Sequence, residues 1–400
     1  MTSRDDGRMR DETTIVHAGR EPGRFEGVVN PPVLHASTIL ARNLAEWEER
    51  RHRRAQDLPG TYYGMLGTAT TRALEQALAD LEGAYRAVVY PSGLAACVVP
   101  ILAFVAAGDH VLVTDSVYGP TRRFCEHTLA RLGVETTFYD PLAGPGIEAL
   151  MRPATRVVFV ESPGSLTFEV QDVPGIAAVA RRHGATVIMD NTWATPLHFR
   201  PLAHGVDVSV QAVTKYVGGH SDLILGAAAA TAAAWPRLRS ATYELGQCAG
   251  PDDVYLAQRG LRTMHVRLAR QWETGLGLAQ WLAQRPEVER VLHPGLPGDP
   301  GHALWKRDFT GGCGLFGVVL KPVGRRAQEA FFDGFRLFGI GASWGGYESL
   351  IMPVDLAGLR SATRWPLAGP LVRVHAGLEA PEDLQADLAA AFARMRAAGA

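Results

Sequence analysis

The sequence predicts an α/β protein with a large, mostly parallel sheet covered by helices on both faces, followed by a smaller α+β domain. Three observations predict it. Short apolar, β-branched runs recur between residues 86 and 215, each followed by a helix-like stretch. Those runs are continuous and not alternating, as expected of strands buried on both faces. Beyond about Gly260 the strict alternation ends, and long helical patterns mix with alternating strands.

In chain order, residues 1–62 carry charge clusters and Pro22, Pro31, Pro32 and Pro59, and read as an extended arm with a short helix. The basic run Glu48 to Arg54, offset by Glu46, Glu48 and Glu49, reads as a solvated helix face and not an anion site. From Thr70, apolar residues at Leu74, Ala77, Leu78 and Leu81 have helical spacing, closed by Gly83. "AVVYPSGLAACVVPILAFV" follows, then "HVLVTD" (110–115), "RVVFVES" (156–162), "TVIMDN" (186–191) and "VDVSVQAVTK" (206–215) as strands. A long helix, "LRTMHVRLARQWETGLGLAQWLAQR", opens the last part. "GCGLFGVVLKP" and "LVRVHAGLE" are its strands, with helices near "AQEAFFDGF" and at the end. The expected division is 1–62, 63–258 and 259–400. No internal repeat is visible.

Composition narrows the function. With 47% apolar and 20% charged residues and a net charge of −1, nothing pulls the chain towards nucleic acid or an acidic membrane surface. Cys97, Cys125, Cys248 and Cys313 are dispersed and form no C-x-x-C pair, as reduced, mostly buried thiols of a cytoplasmic protein would be. The charged N-terminus lacks the apolar stretch of a signal peptide. The longest alanine-rich run, Ile224–Trp235, is too short to span a bilayer.

In parallel sheets, ligands gather beyond the carboxyl ends of the strands. The polar residues at those ends are Ser92 and Gly93, Asp115 to Tyr118, Glu161 and Ser162, Asp190 and Asn191, and Thr214 and Lys215. Lys215 stands out, because Lys215, Lys306 and Lys321 are the three lysines among 40 Lys and Arg. An ammonium can lose its proton and attack a carbonyl, whereas a guanidinium cannot. An aldehyde cofactor such as pyridoxal 5′-phosphate (PLP) needs such a lysine, a carboxylate for its ring nitrogen and anion donors for its phosphate. Asp190 and the turn "YPSGLAA" (90–96) are placed to supply the last two. Compositional bias and an ordinary turn before a helix account for the same residues.

Two other constellations compete. "GASWG" (341–345), with Asp355 and His375 downstream, matches a hydrolase nucleophile elbow literally, but a β-prone segment cut by Pro353 follows where a helix is required. No glycine-rich nucleotide motif precedes a helix. His220 and Asp222 lack further ligands at metal spacing, so His220 is read as ordering its loop and no metal is expected.

Taken together, "YYGMLGTATTRALEQALADLEG", "YPSGLAA", "DSVYGPTRRF", "VESPGSLTFEVQDVP", "MDNTWATP", "SVQAVTKYVGGHSD", "SWGGYESLIMPVD" and "GPLVRVHAGLE" resemble the PLP-dependent Cys/Met metabolism (trans-sulfuration) family, collinearly from about Thr14 to Arg394. "ESPGS" and "QAVTK" look like its β-lyase branch. The resemblance implies fold type I (aspartate-aminotransferase-like) and PLP as cofactor. It also implies cleavage of cystathionine or a related S-substituted cysteine to a thiol, pyruvate and ammonia. The alternatives are a γ-lyase or γ-replacement enzyme, or a catalytically silent binding protein of the same fold.

Residue by residue, Lys215 matches the lysine that links the cofactor, Asp190 the partner of its ring nitrogen, and Tyr118 the stacking tyrosine. Gly93 and Leu94 match backbone phosphate donors, and Thr214 a hydroxyl donor. Arg373 matches the arginine for the substrate carboxylate, with Ser343, Trp344 and Ser165 at the substrate end. Tyr63 matches a tyrosine reaching a neighbouring subunit's phosphate, which implies an arm contacting that neighbour and a homotetramer built as a dimer of dimers. Tyr118 or Tyr63 would assist proton transfer. Two departures stand out: Met65 replaces an arginine that would reach the neighbour's phosphate, and Ala342 replaces a frequent tyrosine, which would widen the substrate end.

Overall fold

The computed structural model of the chain describes residues 9–399; residues 1–8 of the expected arm lie outside it. Among the described residues the first sheet has seven strands: β1 (Arg86–Tyr90), β2 (His110–Thr114), β3 (Glu135–Tyr139), β4 (Thr155–Glu161), β5 (Thr186–Asp190), β6 (Val208–Gln211) and β7 (Gly226–Ala230). Their order is β1-β7-β6-β5-β4-β2-β3. The pairs β2/β3, β2/β4, β4/β5 and β5/β6 are parallel, and β7 runs antiparallel to both β1 and β6. The mostly parallel sheet expected from the sequence is present. Val157 to Val160, Val187 to Met189 and Val208 to Val210 are buried, because helices cover both faces.

Two strands carried no clear signal. β3 is an edge strand with a polar sequence, Glu135–Tyr139, only partly buried. β7 lies inside the alanine-rich run and is built from glycine and alanine, residues with little strand preference. Its place between β1 and β6 decides its conformation.

The second sheet has the order β10-β11-β12-β9-β8, from β8 (Val288–Leu292), β9 (Leu315–Leu320), β10 (Gly339–Ile340), β11 (Leu350–Val354) and β12 (Leu371–His375). All its pairs are antiparallel except β10/β11. Phe316, Val318, Val372 and Val374 pack on Leu384, Leu388 and Phe392 of the C-terminal helix Pro381–Gly399. This is the smaller α+β unit expected from the sequence.

In the arm, two helices, Asp11–His17 and Leu44–Ala55, replace the single short one expected. The second buries no residue and pairs Glu46 with Arg42 and Arg50, so the basic run is a solvated face. Cys97, Cys125 and Cys313 are buried free thiols, and Cys248 is an exposed one.

Candidate active site

Lys215 follows β6 in a turn closed by the Gly218 and Gly219 amides on Val213 and Lys215 carbonyls, at 2.8 and 2.7 Å. The turn halts the strand and sends the side chain towards the second sheet. There Lys215 Nζ donates to Ser343 Oγ at 2.5 Å and lies 5.5 Å from the Trp344 ring centre. Burial, reinforced by the Arg373 cation and opposed by Asp190, brings the amine down to about 8. His220 Nδ1 meets the Gly218 carbonyl at 2.8 Å, within its own loop.

Asp190 ends β5, in register with Glu161 of β4. Its Oδ1 accepts from the Thr192 amide at 2.9 Å and hydroxyl at 2.5 Å, and Oδ2 meets the Cys97 thiol at 3.5 Å. Burial raises the Asp190 carboxyl. Burial, and then the neighbouring Asp190, push Glu161 well above the usual carboxylate range, while its Oε2 accepts the Tyr118 amide at 2.7 Å. Asp190, buried, and Glu161, partly exposed, sit side by side, and among the described residues neither has a basic side chain in salt-bridge contact, so this end of the sheet favours a cation. A protonated pyridine ring meets that need.

Ser92 caps the helix Gly93–Phe104 through Oγ, which accepts the Ala95 amide at 3.1 Å. The Gly93 and Leu94 amides belong to the first turn, which has no intrahelical acceptors, and suit a phosphate. A Cβ on Gly93 would lie 2.8 Å from Ala212 Cβ, so glycine is what lets this helix start against the Lys215 turn. The Thr214 hydroxyl donates to the Leu225 carbonyl at 3.0 Å and accepts its amide at 2.9 Å. To donate to an anion it must exchange the carbonyl. The donor set therefore fits PLP: an amine, a carboxylate lacking a cation, and a helix N-terminus.

From β12, Arg373 donates to the Ser343 carbonyl at 2.9 Å, and burial lowers its guanidinium to about 10, still a cation at neutral pH. Ser343 has φ +83°, the left-handed region, and is held there from both sides by Lys215 and Arg373. His375 Nε2 accepts the Gly345 amide at 3.1 Å, and burial lowers its ring to about 4, so it is neutral. Asp355 accepts the Ala357 amide at 2.9 Å. Ser343, His375 and Asp355 form no triad, in keeping with the rejected hydrolase reading.

Tyr118 is 44% exposed, and burial, with Cys97, Asp190 and Glu161 nearby, raises its hydroxyl. Ser165 is half-buried and bonds through its amide to the Ser116 carbonyl at 2.8 Å. Tyr63 is also 44% exposed, and among the described residues no hydrogen bond or ring contact ties it to Lys215, Asp190 or Tyr118. Met65 sits beside it on the turn Gly64–Leu66, and Ala342 is exposed. The chain thus brings Lys215, Asp190, Arg373, Ser343 and Trp344 together, with Tyr118 alongside, and leaves Tyr63 apart. Sequence reasoning missed Cys97 as a neighbour of Asp190; its place one turn into the helix that starts at Gly93 was the available signal.

Residues 12–393 match the family described as Cys/Met metabolism PLP-dependent enzyme. Cystathionine β-lyase of Salmonella typhimurium is 45% identical, and cystathionine β-lyase MetC of Escherichia coli 44%, each alignment covering 96% of this chain and 98% of the relative. The L-alanine/L-glutamate racemase of Wolbachia pipientis is 41% identical over 97% of this chain and 98% of its own. Matched over this span, and with relatives above 40% identical over nearly the whole chain, the chain belongs to the Cys/Met metabolism PLP-dependent enzyme family.

Proposed function

We propose that the chain is a carbon–sulfur β-lyase that converts cystathionine and water to homocysteine, pyruvate and ammonia. One observation carries the reading: Ser343 joins the Lys215 amine, through its hydroxyl, to the Arg373 guanidinium, through its carbonyl. A base and a carboxylate-binding cation are thereby fixed on the two sides of one residue. The relatives named cystathionine β-lyase support it, against 35% identity to human cystathionine γ-lyase.

Lys215 would hold PLP, Asp190 would keep its ring nitrogen protonated, the Gly93 and Leu94 amides would take its phosphate, and Tyr118 would lie beside its ring. PLP, when bound, supplies an electron sink for the pair released from Cα. Arg373 pairs with the substrate α-carboxylate in the two-pronged way a guanidinium permits. The Lys215 amine is the base for the Cα proton, since an amine near 8 has base character at neutral pH. Tyr118, with its raised hydroxyl, keeps its proton and is suited to deliver it to the departing sulfur. Trp344 and Ser165 bound the substrate.

The test is product analysis of the PLP-loaded protein. Pyruvate with homocysteine from cystathionine is expected. Cysteine with 2-oxobutyrate would replace this reading by γ-elimination, and loss of optical rotation from L-alanine without pyruvate would replace it by racemisation.

Tyr63 would complete the phosphate site of a neighbouring subunit in a tetramer, which its 44% exposure and its lack, among the described residues, of a bond to Lys215, Asp190 or Tyr118 support. Mixed oligomers of Lys215→Ala and Tyr63→Ala should regain activity that neither variant has, and a monomer by sedimentation would end the idea. Among the described residues no helix is long and apolar enough to cross a membrane. We place the protein in the cytoplasm, where its four free cysteines stay reduced.

A further inference from the structure

Between β11 and β12 the chain runs from Asp355 to Pro370 without helix or strand, yet its middle is tied down by a dense set of hydrogen bonds. Asp115, fully buried at the end of β2, receives three successive backbone amides, those of Ser361, Ala362 and Thr363, at 2.9, 3.1 and 2.8 Å. The Thr363 hydroxyl adds a bond of 2.7 Å and Arg122 one of 2.5 Å. Burial raises the Asp115 carboxyl, but these donors outweigh it and hold the group below its ordinary value. Arg122, 1% exposed, also donates to the Leu359 carbonyl at 3.0 Å and lies over the Phe138 ring at 3.7 Å. Between Leu359 and Ser361, Arg360 turns the other way to bind Glu169 and Thr167 and lies over the Trp365 ring.

What the segment abuts is specific. Asp115 and Tyr118 share one turn, a Cβ on Gly119 would touch Leu359 at 3.5 Å, and Ser116 holds the Ser165 amide. Arg360 secures the far end of the loop that carries Ser165, whose Gly164 amide bonds Glu169. A buried ion pair adds little stability over apolar residues of the same size, because desolvation offsets the attraction. A carboxylate that collects consecutive amides instead fixes backbone geometry.

We infer that Asp115, Arg122 and Arg360 clamp Leu359–Thr363 as a rigid wall beside Tyr118 and Ser165, and that this wall sets how long a group the substrate carries beyond its sulfur. Asp115 is thus a positioning residue that touches no substrate. The inference rests on the β-lyase reading for its choice of substrates.

Two measurements on the full-length holoenzyme test it, with cystathionine as the long substrate and S-methylcysteine as the short one. In Asp115→Asn, an amide group faces donors, and KM for cystathionine should rise about tenfold, the worth of one or two lost hydrogen bonds. The kcat for both substrates and KM for S-methylcysteine should change less than about twofold. Amide exchange of Ser361 to Thr363 should accelerate while β2 stays protected. Arg360→Gln, which loosens only the far end, should show the same split if Asp115→Asn fails to fold. Equal losses on both substrates, or unchanged exchange, overturn the inference. Wild-type protein that cleaves neither substrate overturns the β-lyase reading and the length rule with it, and exchange then decides whether Asp115 is the anchor.

Discussion

The three lysines make one prediction unusually direct. The drop of Lys215 from 10.5 to about 8 means roughly 300-fold more free amine at pH 7 than an unperturbed lysine has. In cofactor-free protein, competitive acylation read by peptide mass spectrometry resolves Lys215 with Lys306 and Lys321 as internal references. Its labelling rate should climb about tenfold per pH unit below about 8 and level off above it. Burial is the main cause, and two neighbours act with opposite signs. Removing the cation in Arg373→Gln should move the inflection up, and removing the anion in Asp190→Asn should move it down. The same shift bears on stability: the fold disfavours charged Lys215, so the penalty is full below about 8 and disappears as pH rises through 10.5. Cofactor-free protein should therefore gain stability over that window from this group. A Lys215 rate that keeps climbing past pH 9.5, or variants that move it the same way, would refute the electrostatic reasoning.

Other outcomes follow from the same geometry. Asp190→Asn should reduce kcat by about 100-fold or more, the scale of losing one preorganised electrostatic contact, with cofactor saturation verified by absorbance. Gly93→Val must displace Ala212 or the helix start; overpacking of about 1–3 kcal/mol should lower the thermal midpoint, and weaker PLP binding should show in equilibrium dialysis. Arg373→Lys keeps the charge and loses the two-pronged contact, so KM for cystathionine should rise while PLP absorbance is unchanged, by roughly 1.5–3 kcal/mol in binding.

Much of the site was legible because parallel strands end on one side of a sheet. Once "TVIMDN" and "VDVSVQAVTK" read as strands, Asp190 and Lys215 had to lie near one another, and rarity marked Lys215 as more than a surface charge. The β-branched strands were legible for the same reason that they are buried. β7 was not, since alanine satisfies a strand or a helix equally and only the neighbouring strands decide. Asp115 was visible as a strand-end residue, but its partners Ser361 to Thr363 lie 246 to 248 positions away in a loop with no periodicity. His375 drew notice only within a hydrolase triad, and its bond to Gly345 depends on how two loops of the second sheet meet. Such contacts have no local pattern to read.

The alanine strand has a further consequence. A Cβ on Gly226 would lie 2.3 Å from the Ser92 carbonyl oxygen and 2.8 Å from Ala96 Cβ. The first turn of the Gly93 helix therefore rests directly on the backbone of β7, and the thinness of that strand sets how deep the helix start sits against the sheet. A larger residue there would push the helix start outward while leaving the Gly93 and Leu94 amides chemically unchanged. In the proposed site, affinity for the cofactor is thus partly encoded by side chains that are missing.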